Sequence, residues 1–212
     1  MKNIFIFTML LLSGCAISSQ PVSTASIDAP GWKKTKECYF ERCGVLITVI
    51  DGPPGRIAVK SHNAEGISSL VVFPFPMPLE NEGARSNNEI FPVTVRFGVG
   101  MDYVKINPNT ITLKFKEKSP LIPIAYMVRE DTGGCILRKY KNLLRGYVVD
   151  SDSLYDFILT KEGEKIVVKK NTCIDFIYDI TPPNPEEEFH MNLVGVYSEG
   201  AELQLPLIRF SK

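Results

Sequence analysis

The sequence predicts an all-β protein, an antiparallel β-sandwich with one or two short helices. Three observations carry this expectation. Short runs rich in β-branched and aromatic residues recur from Val45 onward. Fifteen Pro and fifteen Gly are scattered along the 212 residues, so few stretches are long enough for helices. Several runs alternate apolar and polar residues with period two, as half-buried strands do. A hydrophobic content of 44% and a charged content of 23% are ordinary for a folded chain. Residues 38–212 amount to one domain, large enough to bury a core without metals or dense disulfides.

The chain opens with Met1-Lys2-Asn3 and an apolar run, Ile4 to Leu12, broken only by Thr8. These are the n- and h-regions of a secretory signal. The run is far shorter than the roughly 20 apolar residues that span a bilayer. It ends in Leu12-Ser13-Gly14-Cys15. This stretch resembles the lipobox of bacterial lipoproteins, over these fifteen residues alone. The resemblance implies removal of residues 1–14 and acylation of Cys15 on sulfur and amine. Two or more acyl chains anchor stably where one binds marginally. In enterobacterial lipoproteins an acidic residue after the cysteine favours inner-membrane retention. Ala16 stands there instead, which implies the outer membrane but not which of its faces; a domain facing the periplasm is the separate expectation. The plainer reading is an ordinary signal peptide that happens to contain a cysteine.

Residues 16–30 are small, polar and Pro-punctuated and read as a flexible tether, so that residues 15–37 precede the domain. Trp32, in a basic segment, reads as an aromatic lid on the core's end, with a membrane interface as the alternative. Val45–Ile50 is a buried strand ended by Asp51-Gly52-Pro53-Pro54-Gly55. Arg56–Lys60 and Ser68–Phe73 are further strands. The alternate prolines of Phe73-Pro74-Phe75-Pro76-Met77-Pro78 confine that piece to an edge. It reads as a strap over the sandwich end, or as an apolar ridge that binds a partner. Residues 80–89 form a polar loop.

In Ile90–Val99, Val93, Val95 and Phe97 point one way and Thr94 and Arg96 the other, a half-exposed strand. Val104–Ile106 is a short strand before the Asn107-Pro108-Asn109 turn. In the next strand Ile111, Leu113 and Phe115 face in, while Thr112, Lys114 and Lys116 face out and Lys118 continues the row. A lysine row usually guards an edge; binding of an anion such as a lipopolysaccharide phosphate is the sharper alternative. After the strand Ile122–Val128 the period changes. Ile136, Leu137, Tyr140, Leu143, Leu144 and Tyr147 recur at helical spacing. Asp150, Asp152 and Asp156 invite a calcium reading, but the EF-hand pattern is missing, and Ser153 with Asp156 reads as a helix cap. Lys161–Glu164 is a turn, Ile166–Val168 is extended, and Ile174, Phe176, Tyr178 and Ile180 share one strand face. A Pro- and Glu-rich loop leads to a terminal hairpin, Phe189–Tyr197 with Glu202–Phe210. The strand count and spacing are Ig-like or transthyretin-like by analogy.

Cysteine arithmetic follows from the anchor. With Cys15 lipidated, Cys38, Cys43, Cys135 and Cys173 remain, an even set in an oxidising compartment. Of three pairings, Cys38–Cys43 and Cys135–Cys173 are preferred. The chain-entropy model gives them about 2 and about 4 kcal/mol.

The residue content argues against several functions. Without residues 1–14, which carry Lys2 and no acid, 23 of the 24 basic residues stand against 24 acidic ones, a charge of −1. That gives no electrostatic case for nucleic acid. Of two histidines, His62 lies in a Ser61-His62-Asn63 turn and His190 on an outward strand position. There is no nucleophile elbow, no His-x-x-x-His pair and no phosphate-binding glycine loop, so no cofactor or metal is expected. The expectation is a non-enzymatic, membrane-anchored module that binds or scaffolds an envelope protein partner. An immunity-type inhibitor of a periplasmic toxin or hydrolase and a carboxylate-dependent glycan hydrolase are the alternatives.

Overall fold

The computed structural model describes residues 16–17, 22–39, 45–63, 67–72, 75–80, 90–130, 143–144, 147–148 and 158–212. The first strands are β1 (Ala16–Ile17), β2 (Thr24–Ser26), β3 (Lys33–Tyr39), β4 (Val45–Gly52), β5 (Gly55–Ser61), β6 (Ile67–Val72) and β7 (Phe75–Glu80). Next come β8 (Phe91–Phe97), β9 (Tyr103–Ile106), β10 (Ile111–Phe115), β11 (Ala125–Glu130), β12 (Leu143–Leu144), β13 (Tyr147–Val148) and β14 (Ile158–Leu159). The last are β15 (Ile166–Lys169), β16 (Thr172–Tyr178), β17 (Phe189–Leu193), β18 (Val196–Ser198), β19 (Ala201–Glu202) and β20 (Ile208–Ser211). The fold is an all-β antiparallel sandwich.

One layer is a seven-stranded sheet in the order β14-β11-β16-β8-β5-β4-β3. Against it lie two four-stranded sheets, β10-β17-β20-β2 and β15-β9-β18-β19. The alternation of each strand builds the core between them. Phe91, Val93, Val95 and Phe97 of β8 and Ile174, Phe176 and Tyr178 of β16 share one cluster with Leu113, Phe115, Phe189, Met191 and Phe210 opposite. Phe189 joins the layers: its ring stacks on Phe210 at 4.7 Å and on Phe115 at 5.4 Å, and meets Phe91 edge-on at 5.4 Å. Two smaller pairings, β1-β6-β7 and β12-β13, complete the described strands. β7 is an edge strand, as its prolines require.

Several expectations change. The segment read as a tether is partly built into the sandwich: Thr24–Ser26 pairs with β20, and Ala25 is buried. The reason is local: Ala25 is small enough to enter the core beside Phe210 while Thr24 and Ser26 bond back to β20 carbonyls. Lys33–Tyr39, placed mostly ahead of the domain, is an edge strand on β4. The helix expected over Ile136–Tyr147 lies largely outside the described residues, and its described end is an antiparallel pair, Leu143 with Val148 and Leu144 with Tyr147. The cap at Ser153 and the acidic cluster Asp150, Asp152 and Asp156 also lie outside them. Among the described residues the only helical turn is a 3-10 turn at Pro108–Thr110, capped by the Asn107 side chain. The terminal hairpin divides. β18 and β19 do pair around the Glu199-Gly200 turn, but Phe189–Leu193 belongs to the other small sheet. The chain changes sheet at Gly195, whose φ is 72° and where a Cβ would overlap the Thr110 hydroxyl. Trp32 packs on the core's end as expected, lying so close to Gly52 that a side chain there would overlap its ring.

Candidate functional site

β8 was expected to be half-exposed. As the central strand of seven it is buried on both faces, with Thr94 only 2% exposed. Register brings the second face together. Val49, Ala58, Arg96, Cys173 and Arg129 stand side by side across β4, β5, β8, β16 and β11. The neighbouring row is Lys60, Thr94, Asp175 and Met127. His62 follows Lys60 by two, and its backbone N–H donates to the Pro92 carbonyl at 3.3 Å.

These side chains form a hydrogen-bonded chain. The Arg129 guanidinium donates Nε to Asp175 Oδ2 at 2.6 Å and Nη2 to Oδ1 at 3.1 Å, the bidentate fit of Arg to carboxylate. The Thr94 hydroxyl donates to Asp175 Oδ1. That hydroxyl has one proton, so its oxygen must accept from His62 Nε2 at 2.8 Å. Geometry therefore fixes the Nε2–H form of the imidazole. Burial, with the nearby positive charges of Lys60 and Arg129, holds His62 well below its usual range, so the ring is neutral. Burial raises the Asp175 carboxyl, while Arg129, Thr94 and Lys60 pull it back. The Lys60 amine is lowered by burial to about 8, with Asp175 opposing the shift.

This arrangement resists catalysis at Thr94. An activated hydroxyl needs a base that accepts its proton. Here His62 donates to Thr94, and the one base that accepts the hydroxyl proton, Asp175, is held by Arg129. Asp175 is also the only buried carboxylate among the described residues. The row works as a clamp that ties β5, β8, β16 and β11. A second buried network fastens the N-terminal segment. Asn63 donates to Ser23 Oγ at 2.8 Å and to the Pro183 carbonyl at 3.2 Å; Ser61 donates to the Ser23 carbonyl at 2.8 Å; Ser23 Oγ donates to the Pro185 carbonyl at 3.2 Å. The Tyr178 hydroxyl is the one buried side-chain polar atom without a partner among the described residues.

The residues singled out in the sequence are dispersed. Cys15, Cys43 and Cys135 lie outside the described residues. Cys173 is fully buried and disulfide-bonded. Cys38 sits on β3, four strands from Cys173 in the sheet, roughly 19 Å at normal strand spacing and beyond the reach of a direct bridge. Lys114 faces outward on edge strand β10, and Lys116 is exposed in the turn just after it, as expected. The nearby cations are largely matched by the Pro-loop acids. Glu186 meets Lys212 at 2.8 Å, Glu187 meets Lys118 at 3.9 Å and Glu188 meets Arg209 at 2.5 Å. His190 lies on the same outer face, 3.5 Å from Glu188. No cluster of three metal-ligating side chains exists among the described residues.

Sequence reasoning missed Lys60, His62, Thr94, Arg129 and Asp175 as a group. One signal was readable: Asp175 interrupts the apolar run Cys173-Ile174-Asp175-Phe176-Ile177. An acid inside such a run points to a buried partner. Compared with known proteins, the chain matches no family model, no curated protein and no solved structure.

Proposed function

We propose that the protein is an outer-membrane lipoprotein, acylated at Cys15 and facing the periplasm. Its β-sandwich is a non-enzymatic module that binds or scaffolds another envelope component. The Leu12-Ser13-Gly14-Cys15 motif supports the location. The observation that carries the non-enzymatic reading is the His62–Thr94–Asp175–Arg129 chain, in which every reactive group already serves as a structural donor or acceptor. A paired-carboxylate hydrolase needs two acids facing a shared substrate; the oxygens of Asp175 are taken by Arg129 and Thr94.

We also propose the pairing Cys135–Cys173. Register supports it by elimination of Cys38, and because β11, five residues before Cys135 at Glu130, lies directly beside Cys173. Cys38 then pairs with Cys43. The functional test is crosslinking in intact cells followed by affinity capture. The reading predicts the same envelope component in every replicate, and capture indistinguishable from an unrelated lipoprotein control contradicts it.

A further inference from the structure

We propose that β15 is an open sheet edge that takes up an extended acidic segment of an envelope protein as an added strand. This deepens the binding role proposed above and rests on it for the kind of partner. The decisive observation is the direction of the backbone. The Lys170 N–H donates to the Asp102 carbonyl at 2.9 Å, and Lys170 stands directly opposite Asp102 when the register of β15 with β9 is continued by one residue. Opposed residues in an antiparallel ladder alternate between bonded and non-bonded pairs. Val168 with Val104 and Ile166 with Ile106 are therefore the next bonded pairs, and the N–H and C=O groups of Val167 and Lys169 point away from β9. β15 ends its sheet, and no group of the described residues pairs with them. The edge at β10 differs: Leu113 and Leu121 close it by exchanging bonds of 2.9 and 2.8 Å.

The side chains select the occupant. Ile166 and Val168 are buried, while Val167, 59% exposed, stands between exposed Lys165 and Lys169. Exposed Lys105 opposes Val167 on the same outer face. The acids nearby are engaged elsewhere. Glu164 accepts from the Tyr126 hydroxyl at 2.7 Å, Asp102 meets Lys170 at 3.2 Å, and Glu202 accepts from the Gly195 N–H at 2.9 Å. Among the described residues Lys105, Lys165 and Lys169 have no carboxylate partner; the Lys165 ammonium lies over the Tyr197 ring at 5.5 Å. A second copy of this edge is a poor occupant. Antiparallel pairing about Val167 sets Lys165 against Lys169 twice, and like charges directly opposite destabilise a sheet. The lysines that guard the edge against itself thus favour acids at the two flanking positions of a partner, with apolar residues between them. Strand addition draws affinity from the main chain and specificity from such side chains.

The test uses the full chain, processed in cells and purified in detergent, with amide exchange read by NMR. The probe is the capped peptide Glu-Val-Val-Val-Glu, and Lys-Val-Val-Val-Lys is its control. At about ten times its Kd the acidic probe should slow exchange at the Val167 and Lys169 amides about tenfold, because they then exchange only from the unbound fraction. The Leu113 amide should be unchanged, and the lysine probe should protect neither edge amide. Val167→Pro removes one edge N–H without touching the β9 ladder, and should abolish protection at Lys169. Lys165→Glu with Lys169→Glu should reverse the preference between the probes; where the proline variant melts early, this charge-reversed variant decides. No slowing at Val167 and Lys169 up to the solubility limit of the acidic probe overturns the strand addition. Equal protection by both probes, or an unchanged preference in the charge-reversed variant, overturns it too. Crosslinking in intact cells separates the edge from the binding role. If the parent captures an envelope component specifically and the charge-reversed variant captures it equally, the edge is overturned and the role stands. Edge protection by the acidic probe, with parent capture no different from the control lipoprotein, supports the edge while the envelope role falls.

Discussion

At the scale of single residues, the buried row across the seven-stranded sheet holds an ion pair away from water. Asp175 is fully buried and its partner Arg129 nearly so. Removing one member of such a pair leaves an uncompensated charge. Arg129→Met should therefore lower unfolding free energy by about 3–5 kcal/mol. Adding Asp175→Leu should restore much of the loss, because the charge left behind is then gone. Urea denaturation of the single and double variants measures both; a double variant as unstable as the single contradicts the clamp. The same row predicts a pH profile. His62 titrates below 6.5 in the folded state, so the unfolded chain takes up protons first and stability falls as pH drops below about 6.5. Lys60 loses its proton near 8 when folded and near 10.5 when unfolded, so it contributes a rise in stability between those values. Asp175, raised by burial, acts in the opposite sense to His62 in acid. His62→Gln should flatten the acid loss relative to the parent, and Lys60→Met should remove the alkaline rise. Parallel profiles for parent and variants would contradict the assignment.

At the scale of elements, alternation in the sequence locates strands better than it locates faces. β10 reads correctly because it is an edge strand with one face in water: Ile111, Leu113 and Phe115 are buried and Lys114 is exposed. β8 and β16 have the same alternation but are interior strands, so Thr94 and Asp175 are buried where the pattern sends them to solvent. Period two cannot distinguish these cases, since sheet order depends on distant pairings. For the same reason the small residues of Thr24–Ser26 read as linker, although β20 gives them a partner 183 to 187 residues away. The helical spacing of Leu143, Leu144 and Tyr147 is outweighed by the local pairing of β12 with β13. The cysteines give the element-scale prediction. Peptide mapping without reductant should recover Cys173 linked to Cys135, a tie between β16 and the chain leaving β11 worth about 4 kcal/mol. Linkage of Cys173 to Cys43 would contradict the register argument.

At the scale of the whole molecule, the sandwich, its central aromatic cluster and its outward lysines were legible, because they follow from composition and local period. The buried clamp and the fastening of Ser23 by Asn63 were not, because each joins residues between 32 and 162 positions apart. That fastening matters for the anchor. Only Ala16 to Val22 lie between Cys15, the position proposed to carry lipid, and Ser23, a span of at most roughly 28 Å when extended. An acyl chain on Cys15, as proposed, would therefore hold the domain close to the bilayer, well inside the roughly 50 Å that a free tether through Pro30 would allow. The central claim is that Cys15 carries the lipid that makes this attachment. The direct measurement is intact mass and membrane fractionation of the parent and of Cys15→Ser. The account predicts a parent in the membrane fraction whose mass begins at an acylated Cys15, and a variant that is unacylated and leaves the membrane or accumulates as precursor. A parent without acyl mass, or a variant that fractionates and processes as the parent does, would contradict it.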